Sequence, residues 1–413
     1  MVVWEGKSAC VISPDSSVKK LRLPNHDCSL LNLSKVVEML FKDKTIFIIS
    51  YESWGKMLMS KHHYALELAR KGNQVYFINH PDKKKSLKRG EVVVEPTGYN
   101  RLFVVKHRLF HPYFLKFKWR SVYNFFIRNH IRKIIKTVGK EPDVVWSFDC
   151  GNTLPLKYFS GKGKKIFMPV DGPFWHQEEL LAADKADIIV SVTPEILDRY
   201  KEIETRRLLI GHGVSSAFLN VKPIPRNGGP IRIGYAGSLI RNDLDTKAIL
   251  RIVSDHPDKI FEFWGENDPQ NSNIHAAQDV DPNTITFIDK LKHTSNVILH
   301  GAVDAGKLAE GFMTMDAFLV SYNIKNLQNS HKILEYLTTG KVVISNFLSS
   351  YASHQDIVAM LKEGADSSEL PELFSLVMKE IDDYNSIALQ EKRRAFANKF
   401  SYHNNVERIE EAF

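Results

Sequence analysis

The residues with the most chemical promise lie in one run, Asn329-Ser-His-Lys-Ile-Leu-Glu-Tyr-Leu-Thr-Thr-Gly-Lys-Val-Val-Ile-Ser345. A loop enters a helix expected over residues 330–339, Gly340 closes it as a C-cap, and an apolar strand follows. Lys332, next to His331, falls in the first helical turn, where the macrodipole disfavours a cation. An anion such as pyrophosphate, held jointly by the helix terminus and Lys332, would offset that cost. Glu335 lies one turn on, where its two oxygens can accept both hydroxyls of a ribose. The same pair also suits the solvent face of an ordinary surface helix. A second candidate is Tyr235-Ala-Gly-Ser-Leu239, just past an expected strand. The small Gly237 and Ser238 let a ligand approach the amides of Gly237–Leu239, and Arg241 is a phosphate partner within reach. An ordinary strand-to-helix turn looks the same.

Two acids complete the set. Asp149 in Ser147-Phe-Asp-Cys-Gly151 and Asp171 in Pro169-Val-Asp-Gly-Pro173 each follow an expected strand, where a carboxylate can act as general base or grip a hydroxyl. An isolated Asp there is also an ordinary Asx-turn or helix cap. Asp243-Leu-Asp245 reads as a helix start and Asp279-Val-Asp281 as a polar loop. No His or Cys cluster has metal-ligand spacing, so no metal is expected. His62 and His63 are neighbours on a helix, so they diverge and form no joint site.

These residues need elements to hold them. The chain has 413 residues, 43% apolar and 25% charged, enough to build two domains and to exclude global disorder. Cys10, Cys28 and Cys150 are too few and scattered for a disulfide framework. No signal-peptide pattern or apolar run of membrane-spanning length is seen, which points to a cytoplasmic protein. Residues 1–43 have no period and read as an extension. From Thr45 strands and helices alternate: strands at 45–49, 75–79, 144–148, 166–170, 188–192 and 208–210, with a helix near 62–71. Residues 214–230 hold three prolines and two glycines and read as a linker. A second alternation follows, with strands at 231–236, 260–264, 297–300, 317–321 and 342–345 and a helix at 304–313. The expected fold class is α/β, two Rossmann-like domains facing a central cleft, with ligands outside the C-terminal strand ends.

The net charge is +8, yet residues 82–140 alone hold sixteen Lys and Arg against three acids, so the rest of the chain is net negative. Within 101–140 there are eleven basic residues, no acids, and eight Phe, Tyr and Trp between positions 110 and 126. Leu115, Trp119, Val122, Phe126, His130 and Ile134 make a helical stripe, while Lys116, Arg120, Asn124, Arg128 and Lys136 tend to another face. Such a segment suits an anionic membrane surface, the core of its own domain, or a nucleic-acid backbone. The first two are compatible if the aromatic-rich loop inserts while the stripe packs inward.

The run SHKILEYLTTGKVVIS resembles the nucleotide-sugar motif of the GT-B glycosyltransferases. His111-Pro-Tyr, Phe148-Asp-Cys-Gly, Val170-Asp-Gly-Pro, Gly211-His-Gly-Val, Ala236-Gly-Ser-Leu and Ser330-His-Lys-Ile-Leu resemble, in order, stretches of the membrane-associated glucuronosyltransferases of xanthan assembly, over residues 44–345. The resemblance implies a sugar transferred from a nucleoside diphosphate sugar, UDP first among them, to a glycan acceptor. Asp171 matches the general base of inverting relatives, and Asp149 a strand-end acid beside the acceptor. Gly237, Ser238, Leu239, Arg241, Tyr322, His331, Lys332 and Glu335 would line the donor site. Leu327 stands where the large retaining group carries a second glutamate, which argues against a typical retaining enzyme. No metal or other cofactor is expected. The expected domains are 44–213 for the acceptor and 231–395 for the donor, with 396–413 returning to the first. With the basic segment on the acceptor side, the expected acceptor is lipid-linked, for example to a polyprenol, at the cytosolic membrane face, with residues 101–136 on anionic lipid. A nucleotide-sugar 2-epimerase of the same fold leaves the basic segment unexplained, and a nucleic-acid-binding protein leaves the donor pattern unexplained. No nucleic-acid partner is expected.

Overall fold

The computed structural model describes residues 2–5, 8–11, 40–55, 58–83, 86–159, 161–170, 176–220, 222, 224, 228–268, 281–323 and 331–413. Asp171 and Leu327 lie outside them, as does Asp279. Residues 1–39 form one unit, carrying an antiparallel hairpin of β1 (Val2–Glu5) and β2 (Ser8–Val11).

Leu40–Phe413 form the second unit, built on two sheets. The first contains β3 (Thr45–Ile49), β4 (Gln74–Ile78), β5 (Val92–Pro96), β6 (Leu102–His107), β7 (Val144–Ser147), β8 (Lys164–Phe167), β9 (Ile188–Ser191) and β10 (Arg206–Leu209). Their order is β10-β9-β8-β7-β3-β4-β6-β5, parallel throughout except for β5 on β6. The second sheet contains β11 (Arg232–Ala236), β12 (Ile260–Trp264), β13 (Val297–Gly301), β14 (Ala317–Val320), β15 (Val342–Ser345) and β16 (Ala359–Met360). It is parallel in the order β13-β12-β11-β14-β15-β16. Runs such as Thr45–Ile49 and Val342–Ser345 are buried along their whole length, as helices on both faces of a parallel sheet require. The alternation read from the sequence thus becomes two parallel α/β sheets. The β5–β6 hairpin was not anticipated; its valines pair across the edge, Val94 opposite Val105.

Phe41 is fully buried, stacks on Trp146 at 5.8 Å, and donates its amide to Glu410 Oε1 at 2.9 Å. The packed unit therefore begins a few residues before the strand expected at Thr45. The chain passes between the sheets twice, side by side. Val214 bridges Ser401 in parallel, and Val214 N–H donates to Phe400 O at 2.7 Å. Gly213 is needed there, because a Cβ would sit 2.5 Å from the Tyr402 ring. Past that crossing the helix Tyr402–Glu410 packs Tyr402, Val406 and Ile409 into the first sheet's core.

The basic segment differs from expectation in phase. Its first residues form β6, and two helices follow, Leu115–Lys118 and Arg120–Val138. Tyr123, Ile127, Ile131, Ile134 and Ile135 face the core together with His130. Of the expected stripe, Leu115, His130 and Ile134 are buried, whereas Trp119 is 63% exposed and Val122 is also exposed. The isoleucines set the rotation of the long helix, since they bury more apolar surface than the alternative face. Trp119, at φ −136° and ψ 70°, breaks the helix, so residue 116 is out of phase with 120–136. Lys116, expected on the basic face, is in fact completely buried. Phe110, Phe114, Phe117, Trp119, Val122 and Phe125 stand exposed along this ridge. Among the described residues no helix is long and apolar enough to cross a membrane.

Candidate functional site

In the second sheet the strand-end turn and the lysine-bearing helix are joined by a residue that the sequence reading left unused. The Tyr336 hydroxyl accepts the Ala236 amide at 2.7 Å and donates to the Ala236 carbonyl at 3.1 Å. Tyr336 is fully buried, stacked on Phe318 at 4.3 Å. It belongs to the helix His331–Leu337, so that helix is pinned to the residue preceding Gly237. On the same helix Lys332 Nζ lies 2.8 Å from Glu335 Oε2, and Glu335 is buried. One carboxylate oxygen is therefore engaged by Lys332, where both were expected to be open to a ribose. The His331 backbone lies in this helix; its side chain is outside the described residues.

The turn itself corrects a second expectation. Gly237 N–H donates to Trp264 O at 2.9 Å, and Leu239 N–H to Glu266 O at 2.8 Å. Those two amides close the β11–β12 strand ends and are not available to an anion. Gly265 makes this possible: at φ +138° its Cβ would lie 1.9 Å from the Gly237 carbonyl. Ser238 is the residue left over, with a buried hydroxyl that finds no partner among the described residues. The buried hydroxyls of Tyr235, Ser321 and Ser345 are likewise unpartnered among the described residues. Such a concentration of unsatisfied groups is what a polar ligand would relieve. Arg241 is bidentate to Asp243 and lies 5.0 Å over the Tyr322 ring. Tyr322 is buried, its amide bonded to Asn346 Oδ1 at 2.9 Å. Asp245 caps the helix Thr246–Asp255, as read, whereas Asp281, read as part of a polar loop, caps the helix Pro282–Lys292. Among the described residues no group of three His, Cys, Asp or Glu is arranged to hold a metal.

Asp149 lies at the end of β7 and is buried. Its Oδ2 accepts the Thr153 amide at 2.6 Å, closing the loop 149–153, while Oδ1 is buried with no partner among the described residues. The structural reading of this residue therefore accounts for one of its two oxygens. Around it the segment 113–123 supplies Tyr113, Lys116 and Tyr123. Burial, with the Asp149 carboxylate contributing, raises the pKa of the Tyr113 and Tyr51 hydroxyls. Tyr51, past β3, packs edge-on against His80, past β4, at 5.1 Å. Three adjacent parallel strands thus present Asp149, Tyr51 and His80 at one C-terminal edge.

No family model matches the chain, and no curated protein matches it in sequence. Solved structures do match its shape. The sucrose-phosphate synthase of Thermosynechococcus elongatus aligns over 89% of this chain and 98% of its own, with a TM-score of 0.65 at 11% identity. Anabaena Alr3699/HepE, solved in complex with UDP-glucose, aligns over 89% and 99%, with a TM-score of 0.65 at 12% identity. The α,α-trehalose 6-phosphate synthase of Burkholderia multivorans gives 89%, 97%, 0.62 and 10%. The fold is GT-B.

In a GT-B fold two Rossmann-like halves face one cleft, and the charge of Lys332 in the second half is felt by His63 in the first. His63 lies in the first turn of the helix Ser60–Arg70, which follows β3. Burial lowers its pKa to about 3, helped by the Lys332 ammonium of the second sheet's helix. His63 is thus a neutral ring, stacked on Tyr402 at 5.0 Å. His62 points elsewhere: its Nδ1 accepts the Met59 amide at 2.9 Å, capping the same helix. Two site-shaping residues had a visible signal, the Tyr beside Glu335 in the motif and the Gly after Trp264. The inward turn of Lys116 had none, since it depends on the break at Trp119.

Proposed function

We propose that this protein is a glycosyltransferase that moves a sugar from a UDP-sugar to a lipid-linked glycan at the cytosolic face of a membrane, in polysaccharide biosynthesis. The observation that carries the reading is the second sheet's strand-end turn. There Ser238 and the Lys332–Glu335 pair are held together by Tyr336, in a GT-B fold. In this reading residues 231–395 take the donor and 44–213 the acceptor, joined by 214–230. Lys332 and the Ser238 donors hold the diphosphate, Glu335 a ribose hydroxyl, and Arg241, Tyr322 and His331 the rest of the nucleotide. The acceptor oxygen attacks the anomeric carbon and gives its proton to Asp171; the bond to the diphosphate breaks, and UDP leaves with the electron pair. Asp149 orients the acceptor hydroxyl through its unpartnered oxygen. No metal enters the step.

The membrane part of the reading is supported by the ridge of exposed rings from Phe110 to Phe125, flanked by exposed Lys118, Arg128, Arg132, Lys133 and Lys136. Rings of this size enter the headgroup layer while cations meet anionic lipid, the character of a cytosolic leaflet. The protein in this reading is cytoplasmic and peripherally bound to the inner face of the cell membrane.

The test is a thermal-shift panel of UDP, GDP, ADP, TDP and CMP, with and without attached sugars. A ligand at about 100 times its Kd stabilises the state it binds by about 2.7 kcal/mol, an easily resolved shift. UDP and a UDP-sugar are expected to shift the transition. A panel with no shift would overturn the donor site. Asp171→Asn is expected to abolish transfer and keep UDP binding; an active variant would remove the general base from Asp171.

A further inference from the structure

Lys116 is a lysine that the solvent does not reach, on a four-residue helix whose neighbours point outward. Phe114, Phe117, Lys118 and Trp119 are exposed, while Leu115 and Lys116 turn in. The Lys116 ammonium donates to the Gly151 carbonyl, lies 3.4 Å from the Tyr113 hydroxyl, and pairs with Glu178 at 3.5 Å. Arg120 joins the same carboxylate, its Nη1 3.1 Å from Oε2. Gly151 belongs to the loop 149–153, which the segment grips at two more points. Tyr123 Oη donates to the Thr153 carbonyl at 2.8 Å, and the Tyr113 hydroxyl meets Thr153 Oγ1 at 3.3 Å. The loop needs holding: Asn152 sits at φ +50°, in the left-handed region. Glu178 belongs to the helix His176–Ala182, which follows β8. A buried ammonium costs more than an apolar side chain of the same length, so packing alone does not account for a lysine here.

We propose that Lys116 is a positioning residue for Asp149. It ties the loop 149–153 to the helix His176–Ala182, and so holds the carboxylate with one oxygen on the Thr153 amide and the other without a partner among the described residues. This rests on the glycosyltransferase reading, and it adds that the ridge bearing the exposed rings is also the clamp on the acceptor-side acid.

The test compares Lys116→Met with the unaltered full chain, because methionine keeps the packing and drops the charge. Three readouts are taken: UDP affinity by calorimetry, steady-state hydrolysis of UDP-glucose with water as acceptor, and amide exchange at residues 149–153. The expected result is unchanged UDP affinity, kcat lower by about tenfold or more with KM constant, and exchange at Thr153 faster by about tenfold. Unchanged exchange overturns the clamp. A kcat loss matched by weaker UDP binding also overturns it, since that is a general structural defect. If Lys116→Met does not fold, Tyr123→Phe and Glu178→Gln are judged on the same readouts. Absence of UDP binding in the unaltered protein overturns the donor reading instead, and the exchange result still decides the clamp.

Discussion

Lys332 illustrates how a candidate ligand-binding residue can also be structural. Its ammonium pairs with a Glu335 carboxylate that is only 3% exposed. Lys332→Ala is expected to lose UDP affinity and also about 1–3 kcal/mol of stability, because it leaves a buried carboxylate without its cation. The double variant Lys332→Met/Glu335→Gln should recover stability in urea unfolding and still bind UDP poorly. Retained UDP affinity in both would take Lys332 out of the donor site. Tyr336→Phe probes the link between the motif and the turn. It leaves the buried Ala236 amide without an acceptor, so a loss of about 1–3 kcal/mol is expected, together with weaker UDP binding. A stability loss with UDP affinity intact would show that the turn keeps its shape unaided.

At the scale of elements, the basic segment divides its labour by side. The long helix Arg120–Val138 is anchored by its isoleucines and by a histidine pair. His107 Nε2–H donates to the Asn79 carbonyl at 2.9 Å, so its Nδ1 must accept from His130 Nε2–H, also at 2.9 Å. The outer side is left to the rings and cations. Trp119→Ser with Phe125→Ser should release the protein from phosphatidylglycerol vesicles in cosedimentation and leave the thermal transition nearly unchanged, because neither ring is in the core. Replacing Lys118, Arg128 and Arg132 by Gln should weaken that binding by about 1 kcal/mol each, with the effect disappearing at high salt. Equal binding to neutral phosphatidylcholine vesicles would argue against the electrostatic part. Lys116 is left out of the charge series, because its change would act on the Asp149 loop rather than on lipid.

Across the whole molecule, the buried imidazoles set a pH dependence. Burial lowers the pKa of His62 and His130 to about 4 and of His63 and His107 to about 3, from an ordinary 6.5. Below 6.5 the unfolded chain takes up protons that the folded chain refuses. Stability is therefore fully present above that value and falls as pH drops toward the folded pKa values. The thermal transition is expected to be flat with respect to these groups above neutrality and to fall between 6.5 and about pH 5, ahead of most carboxylate titration. His130→Gln, which can still donate to His107, should flatten that slope. A slope identical to that of the unaltered protein would mean that His130 titrates normally.

The periodic features were legible along the chain. Short strands such as Thr45–Ile49 and Val342–Ser345 were readable because a strand buried on both faces is apolar at nearly every position. The helix carrying Lys332 was readable because its glycine stop is local chemistry. Which groups are already spent on internal bonds follows only from packing in space. The Gly237 and Leu239 amides close a neighbouring strand, one Glu335 oxygen belongs to Lys332, and Lys116 turns inward at a helix break three residues on. Whether a donor is free for a ligand depends on what else lies within 3 Å of it in space, and spacing along the chain carries no record of that.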